Sequence, residues 1–249
     1  MLNLKVCLIN PFDIIKKFMM KNMKFHIFIY FILAGLIYLV SGCGGSYRGR
    51  ALTEEQKEVR DKKIKAEAYL FDAKLRREGQ VNSFRLEIFQ TDSVLGLGGR
   101  AYLGKGALKG RLTADSVLIY FPTRGEYVEE AVADFFQTLE CPLALTGDDI
   151  LTFFRQTPDS IALTEGIEVT ANYADEEKPY FVVSSPDCPW RIELTYDLRK
   201  TGWRVAEFAY SDGEGLRIEA IRREYKAKAK VKTAKFMVDI PPRSFRIEP

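Results

Sequence analysis

Four cysteines and one histidine are the residues of this 249-residue chain best suited to nucleophilic or soft-metal chemistry. Cys43 follows Val40-Ser41-Gly42 at the end of an apolar run, residues 25–40, and Lys16, Lys17, Lys21 and Lys24 precede that run. Charge, then an apolar segment, then small residues is the layout of an export signal. The alternative is a membrane-spanning anchor, but the run is shorter than the roughly 20 residues that a bilayer requires. Met19, Met20 and Met23 are alternative starts, the last giving a leader of more ordinary length. The histidine, His26, lies inside the leader. Once residues 1–42 are removed, every histidine-dependent acid–base, nucleophilic or zinc arrangement is excluded.

Cys141 and Cys188 remain, each followed by proline and without metal-ligand spacing. In an oxidising compartment such a pair more often forms a disulfide than a site, the alternative being two buried free thiols. The carboxylate pairs Glu129/Glu130 and Asp148/Asp149 are sequence neighbours, and neighbours on a helix point in different directions. The expectation is a protein that is not an enzyme and needs no cofactor or metal. The leader holds five of the 37 Lys and Arg and one of the 34 Asp and Glu, leaving 32 against 33. A net charge near −1 gives no basic field for nucleic acid.

Val40-Ser41-Gly42-Cys43 resembles the lipobox of bacterial lipoproteins. That resemblance implies acylation of the Cys43 thiol and a protein held by lipid in the bacterial cell envelope. Gly44, where an aspartate would suggest inner-membrane retention in some bacteria, favours the outer membrane, with the protein facing the periplasm. Residues 43–52 are glycine-rich and read as a flexible tether, leaving 53–249 as a single domain.

Positioning comes next. Thr53 and Gln56 have capping-box spacing, predicting a charged helix to about residue 63. Alternation of Tyr69, Phe71, Ala73 and Leu75, then of Phe84, Leu86 and Ile88, predicts a hairpin about Glu78-Gly79-Gln80. Asp-Ser at 92–93, 115–116 and 159–160, each before a strand-like run, marks turns of an antiparallel meander. Glycines at 96, 98, 99, 104, 106 and 110 suggest a strongly curved strand pair; a phosphate loop is the weaker alternative, since no helix follows. Two helices are expected within 128–156, the second capped by Thr146 with Asp148 and Asp149 in its first turn. Strands are then expected at 160–164, 167–173, 179–184, 190–197, 203–210, 215–223, 225–233 and 235–240. Lys226, Lys228, Lys230 and Lys232 alternate with small residues and would share one face, as a solvated edge guard or a contact for anionic lipid headgroups.

This order resembles the family of the outer-membrane lipoprotein receptor LolB and its periplasmic partner LolA. The resemblance spans roughly residues 65–245. It is carried by the run 114–121 with Glu126-Tyr127, by the helix pair 129–139 and 147–156 with its apolar link, and by 236–242 as a closing strand. It implies a mainly β (α+β) fold, one curved antiparallel sheet forming a half-open barrel lidded by short helices, with an apolar concave face for acyl chains. It also implies a membrane-touching leucine loop, matched here by Leu103-Gly104. The chain departs from the family in lacking a proline before that leucine, in its two extra cysteines and in its basic late strand.

Two functions follow as expectations. In one, a lipid-anchored module binds a lipid or the acyl chains of lipoproteins, with Leu86, Ile88, Leu118, Tyr120, Phe135, Phe136, Ile150, Phe153 and Phe154 lining the cavity, and a periplasmic carrier as the partner in transfer to the outer membrane. In the other, a structural or assembly lipoprotein with a filled core binds an envelope protein.

Overall fold

The computed structural model describes residues 53–77, 79–101, 104, 106–137, 145–161, 163 and 166–247, and only the backbone of 136 and 137. Helix α1, Glu54–Asp61, opens with the expected reciprocal cap. The Thr53 hydroxyl accepts from Gln56 N at 3.2 Å, and Gln56 Oε1 accepts from Thr53 N at 3.1 Å. Six strands follow: β1 (Lys63–Arg77), β2 (Gln80–Gln90), β3 (Leu95–Ala101), β4 (Gly106–Leu112), β5 (Ser116–Phe121) and β6 (Glu126–Ala131). Helices α2 (Val132–Gln137) and α3 (Gly147–Phe153) interrupt them. The chain resumes with β7 (Glu168–Asn172), β8 (Tyr180–Ser185), β9 (Cys188–Arg199), β10 (Gly202–Ser211), β11 (Arg217–Lys232) and β12 (Phe245–Arg246).

The twelve strands among the described residues lie in one open sheet, ordered β12-β6-β5-β4-β3-β2-β1-β11-β10-β9-β8-β7. Two meanders are joined where β11 pairs with β1 along most of both strands. β12 runs parallel to β6, and every other pairing is antiparallel. Directly paired residues share a face, so register carries the apolar pattern across the sheet. One row runs Tyr69, Ile88, Leu97, Gly110, Ile119, Val128; the next runs Phe71, Leu86, Gly99, Leu108. This face forms the main core.

The sheet curls around α3. Tyr69 Oη on β1 donates to Phe154 O at 3.1 Å, and Tyr196 Oη on β9 donates to Phe153 O at 2.7 Å. Those strands stand three steps apart, about 14 Å in a flat sheet. Their side chains reach adjacent carbonyls because the face between them is concave. The glycines belong to this curved pair. A Cβ on Gly99 would lie 2.8 Å from Leu108 Cγ, and one on Gly110 would lie 3.1 Å from Leu97 Cδ1. The missing side chains let leucines fold over the strand, and the phosphate-loop alternative falls because these glycines sit in laddered backbone.

Several boundaries differ from expectation. Residues 129–131 extend β6, so the first helix is shorter than 129–139. The second ends at Phe153. The turn expected at Asp159-Ser160 is a 3₁₀ turn, Pro158–Ser160, and the described residues of the strand expected at 160–164 are not in a strand. β11 is continuous across 224. The expected closing strand at 235–240 is a strap. A 3₁₀ turn, Thr233–Phe236, lies against β3, and the chain then passes to the far side of β6 as β12. The strap leaves β3 on the convex face. A Cβ on Gly96 would lie 2.5 Å from Lys235 O, and Gly96 pairs with Phe89, which packs on Phe236 in a small second core. Among the described residues no helix is long and apolar enough to cross a membrane.

Candidate functional site

The concave face is furnished by α3. Thr146 N and Oγ1 donate to Asp149 Oδ2 at 2.7 and 2.8 Å, and Asp149 N donates back to Thr146 Oγ1 at 3.1 Å. Asp149 is therefore spent on a helix start. At the other end, the carbonyls that a helix leaves unpaired are taken by the sheet. Gln90 Nε2 donates to Leu151 O at 2.5 Å, Tyr196 to Phe153 O, Tyr69 to Phe154 O, and Arg204 Nη1 to Arg155 O at 3.3 Å. Strands β2, β9, β1 and β10 thus hold one helix end.

Beside that end lies a buried charge cluster. Arg204 donates through Nε to Glu67 Oε2 and through Nη2 to Glu67 Oε1, both at 2.8 Å. The two side chains are 6% and 12% exposed. The single Tyr69 hydroxyl proton is shared between Phe154 O and Glu67 Oε2, the latter at 2.7 Å, and the Arg204 guanidinium lies 5.9 Å from the Tyr225 ring centre. Burial opposes the Arg204 charge, but hydrogen bonding and attraction to Glu67 outweigh it and hold its pKa above the ordinary value. Burial first, then the Glu67 bond, pushes the Tyr69 phenol upward, so it remains a donor.

Farther from α3, the concave row Val169, Val183, Ile192, Tyr210, Ile218 crosses β7 to β11. Val169, Ile192 and Tyr210 in it are only partly buried, as is Phe208 in the next row. Trp190, on the same strand face as Ile192, is 1% exposed, and its indole N–H has no acceptor among the described residues. An unpaired buried donor costs about 1–3 kcal/mol.

The structure divides the expected cavity residues. Leu86 and Ile88 lie on the concave face, and Phe135, Ile150, Phe153 and Phe154 pack into the same core. Leu118 and Tyr120 do not join them. They pair with Arg111 and Lys109 on the convex face, the odd residues Val117, Ile119 and Phe121 having taken the concave one. The strap from β3 to β12 crosses the face on which they are buried. Gly104, at φ +74°, turns the chain between β3 and β4. Leu103, Cys43, Cys141, the leader, the tether and the Phe136 side chain lie outside the described residues. Cys188 is held in a disulfide, and its partner also lies outside them.

Sequence reasoning gives no site role to Glu67, Arg204 or Trp190, the last marking only a strand start. A signal existed for the first: Glu67 occupies the same alternating positions as Tyr69, Phe71 and Ala73. A carboxylate on an apolar strand face requires a partner.

No protein-family model and no curated protein matches this sequence. Some solved structures are similar to it at low identity. A DUF1329 family protein from Desulfovibrio piger is 10% identical, with a TM-score of 0.41, covering 73% of this chain and 92% of its own. A LolA superfamily protein from Nitrosomonas europaea is 9% identical, with a TM-score of 0.34, covering 76% of this chain and 99% of its own. A Vibrio parahaemolyticus domain named for outer membrane lipoprotein sorting is 9% identical, with a TM-score of 0.32, covering 69% and 89%. The functional reading rests on the residues above.

Proposed function

We propose that residues 53–249 form one lipid-anchored envelope domain, tethered through Cys43, whose concave sheet face holds an acyl chain of a lipid or lipoprotein without covalent chemistry. One observation carries this reading. The partly buried row Val169, Ile192 and Tyr210 adjoins a fully buried indole donor that lacks an acceptor among the described residues. An apolar trough with one convergent polar group is how a protein holds an acyl chain by its tail and fixes an ester or amide carbonyl. Weak, mainly apolar contact also suits hand-over to a carrier at the outer membrane. Pairing of Cys188 with Cys141 belongs to the same proposal, since an oxidising compartment preserves it.

Native mass spectrometry of the full chain, with lipid extraction, tests the reading. A bound or loadable acyl species is expected. Trp190→Phe keeps the ring and removes the donor, so it should weaken loading about five- to tenfold, the size of one hydrogen bond. Failure to extract or load any acyl species overturns the proposal. The fixed position of α3 and the closely packed aromatics Phe71, Phe121, Phe181 and Tyr196, all 0% exposed, favour a second reading. In it the interior is filled and the protein holds an envelope partner, which crosslinking in cells would then capture with no lipid present.

A further inference from the structure

The end of the β1–β11 pair is a two-stranded ribbon. β2 pairs with β1 only from Glu67 onward, and β10 leaves β11 at Ile221. In the ribbon, Lys63 stands directly opposite Lys232 and Lys65 opposite Lys230. Their neighbours Ile64, Ala66, Ala229 and Val231 turn the other way, into the small convex core with Phe236. Lys63 and Lys65 share the alternation of Glu67 and Tyr69, so the lysine face continues the concave face as its lip. A bulge between Ala66 and Ala68 places Lys226 opposite Ala68 on the other side. The lysine face is therefore drawn from two strands, and the expected single-strand stripe is corrected.

All four lysines are exposed. Lys232 pairs with Asp61 at 2.6 Å, and Lys63, Lys65 and Lys230 make no ion pair among the described residues. Like charges placed directly across a ladder destabilise it. An edge guard explains lysines along the free edge of β11. The same holds for Lys63 and Lys65 on the free edge of β1, but edge protection does not require the lysines of the two strands to stand directly opposite one another. A multivalent anionic surface would offset the repulsion. We propose that this lip docks on the surface of a membrane containing anionic phospholipid. The acyl-chain reading above enters through the anchor alone. Cys43 precedes Thr53 by ten residues, a reach of at most about 35 Å, and α1 then leads directly into Lys63. A chain held by lipid at Cys43 keeps the lip within reach of the headgroups, with the concave face opening behind it.

The test uses the full chain carrying Cys43→Ser, so that no lipid holds it, and compares it with the same chain carrying Lys63→Gln, Lys65→Gln, Lys230→Gln and Lys232→Gln. Leader lysines are common to both, so the difference isolates the ribbon. Vesicles of phosphatidylcholine alone and of phosphatidylcholine with about one-third phosphatidylglycerol are the probes. At low salt the parent should prefer anionic vesicles over the fourfold variant by roughly a hundredfold, since each lysine near such a surface contributes a several-fold factor. That preference should shrink steeply with added salt. A fourfold Lys→Arg variant should retain it, and circular dichroism should be unchanged in all three proteins. Equal binding by parent and Gln variant overturns the inference. So does a parent that binds heparin but shows no vesicle preference, which would assign the lip to a soluble polyanion. Loss of acyl loading with the headgroup preference intact would instead overturn the concave-face reading and leave this one standing.

Discussion

Gly96 and Gly98 are two residues apart on β3, point the same way and have opposite tolerances. A Cβ at Gly98 meets only Glu87 side-chain atoms, at 3.8 and 3.9 Å, whereas at Gly96 it meets the Lys235 carbonyl at 2.5 Å. Gly98→Ala is expected to leave the unfolding temperature unchanged or slightly raised, since glycine weakens a strand. Gly96→Ala must move the strap and should cost about 1–3 kcal/mol, as overpacking does, measured by denaturant unfolding. Glu67 poses a different question, because its charge is compensated chiefly by Arg204 at 2.8 Å, with Arg155 Nε at 3.5 Å and the hydroxyls around it. Glu67→Gln leaves a buried guanidinium and should destabilise by about 3 kcal/mol. Glu67→Leu with Arg204→Met removes both charges and should recover most of that. Equal losses in the single and double variants would show that packing, and not charge, is what the pair provides.

At the scale of elements, α3 stays in place because its last carbonyls are bonded to side chains of the sheet. Tyr69→Phe and Tyr196→Phe should each cost about 1–3 kcal/mol, since each leaves a buried carbonyl unpaired. Amide exchange in α3 should accelerate before that of the strands. The opposite, convex face of β9–β11 is held by ion pairs. Burial alone would raise the Asp197 carboxyl, but Arg222 and Arg199 outweigh it and keep it below its usual 3.8. Glu193 is likewise held below 4.5, with Arg217 overcoming burial. A depressed folded-state pKa means that the stabilisation is complete above the unfolded value and is lost as pH falls through the folded one. The unfolding temperature should therefore be level from neutrality down to about pH 5 and fall below about pH 4. Asp197→Asn should flatten that descent.

For the molecule as a whole, the strap is the element that makes the convex face of the first meander an interior. Ending the chain after Phe236 should expose Leu118 and Tyr120, lower the unfolding temperature and make Tyr120 reactive to nitration; an unreactive Tyr120 would mean that another segment covers it. Much of the sheet was legible beforehand. Alternation in Tyr69–Leu75 and Phe84–Ile88 fixes a period of two, and Thr53 with Gln56 and Thr146 with Asp149 announce helix starts through local hydrogen bonds. These are short-range properties, written within a few residues. Cavity lining was legible only in part. Leu118 reads like Ile119 in the sequence, and which of them faces inward depends on the register of four strands. The pairings Glu67–Arg204 and Lys65–Lys230 join residues more than 130 positions apart. The amino-acid order alone determined the periodicities and the caps, because each depends on neighbours along the chain. Only the folded sheet decided which face each residue serves and which charges meet, because strand pairing and curvature bring together groups that the chain itself keeps far apart.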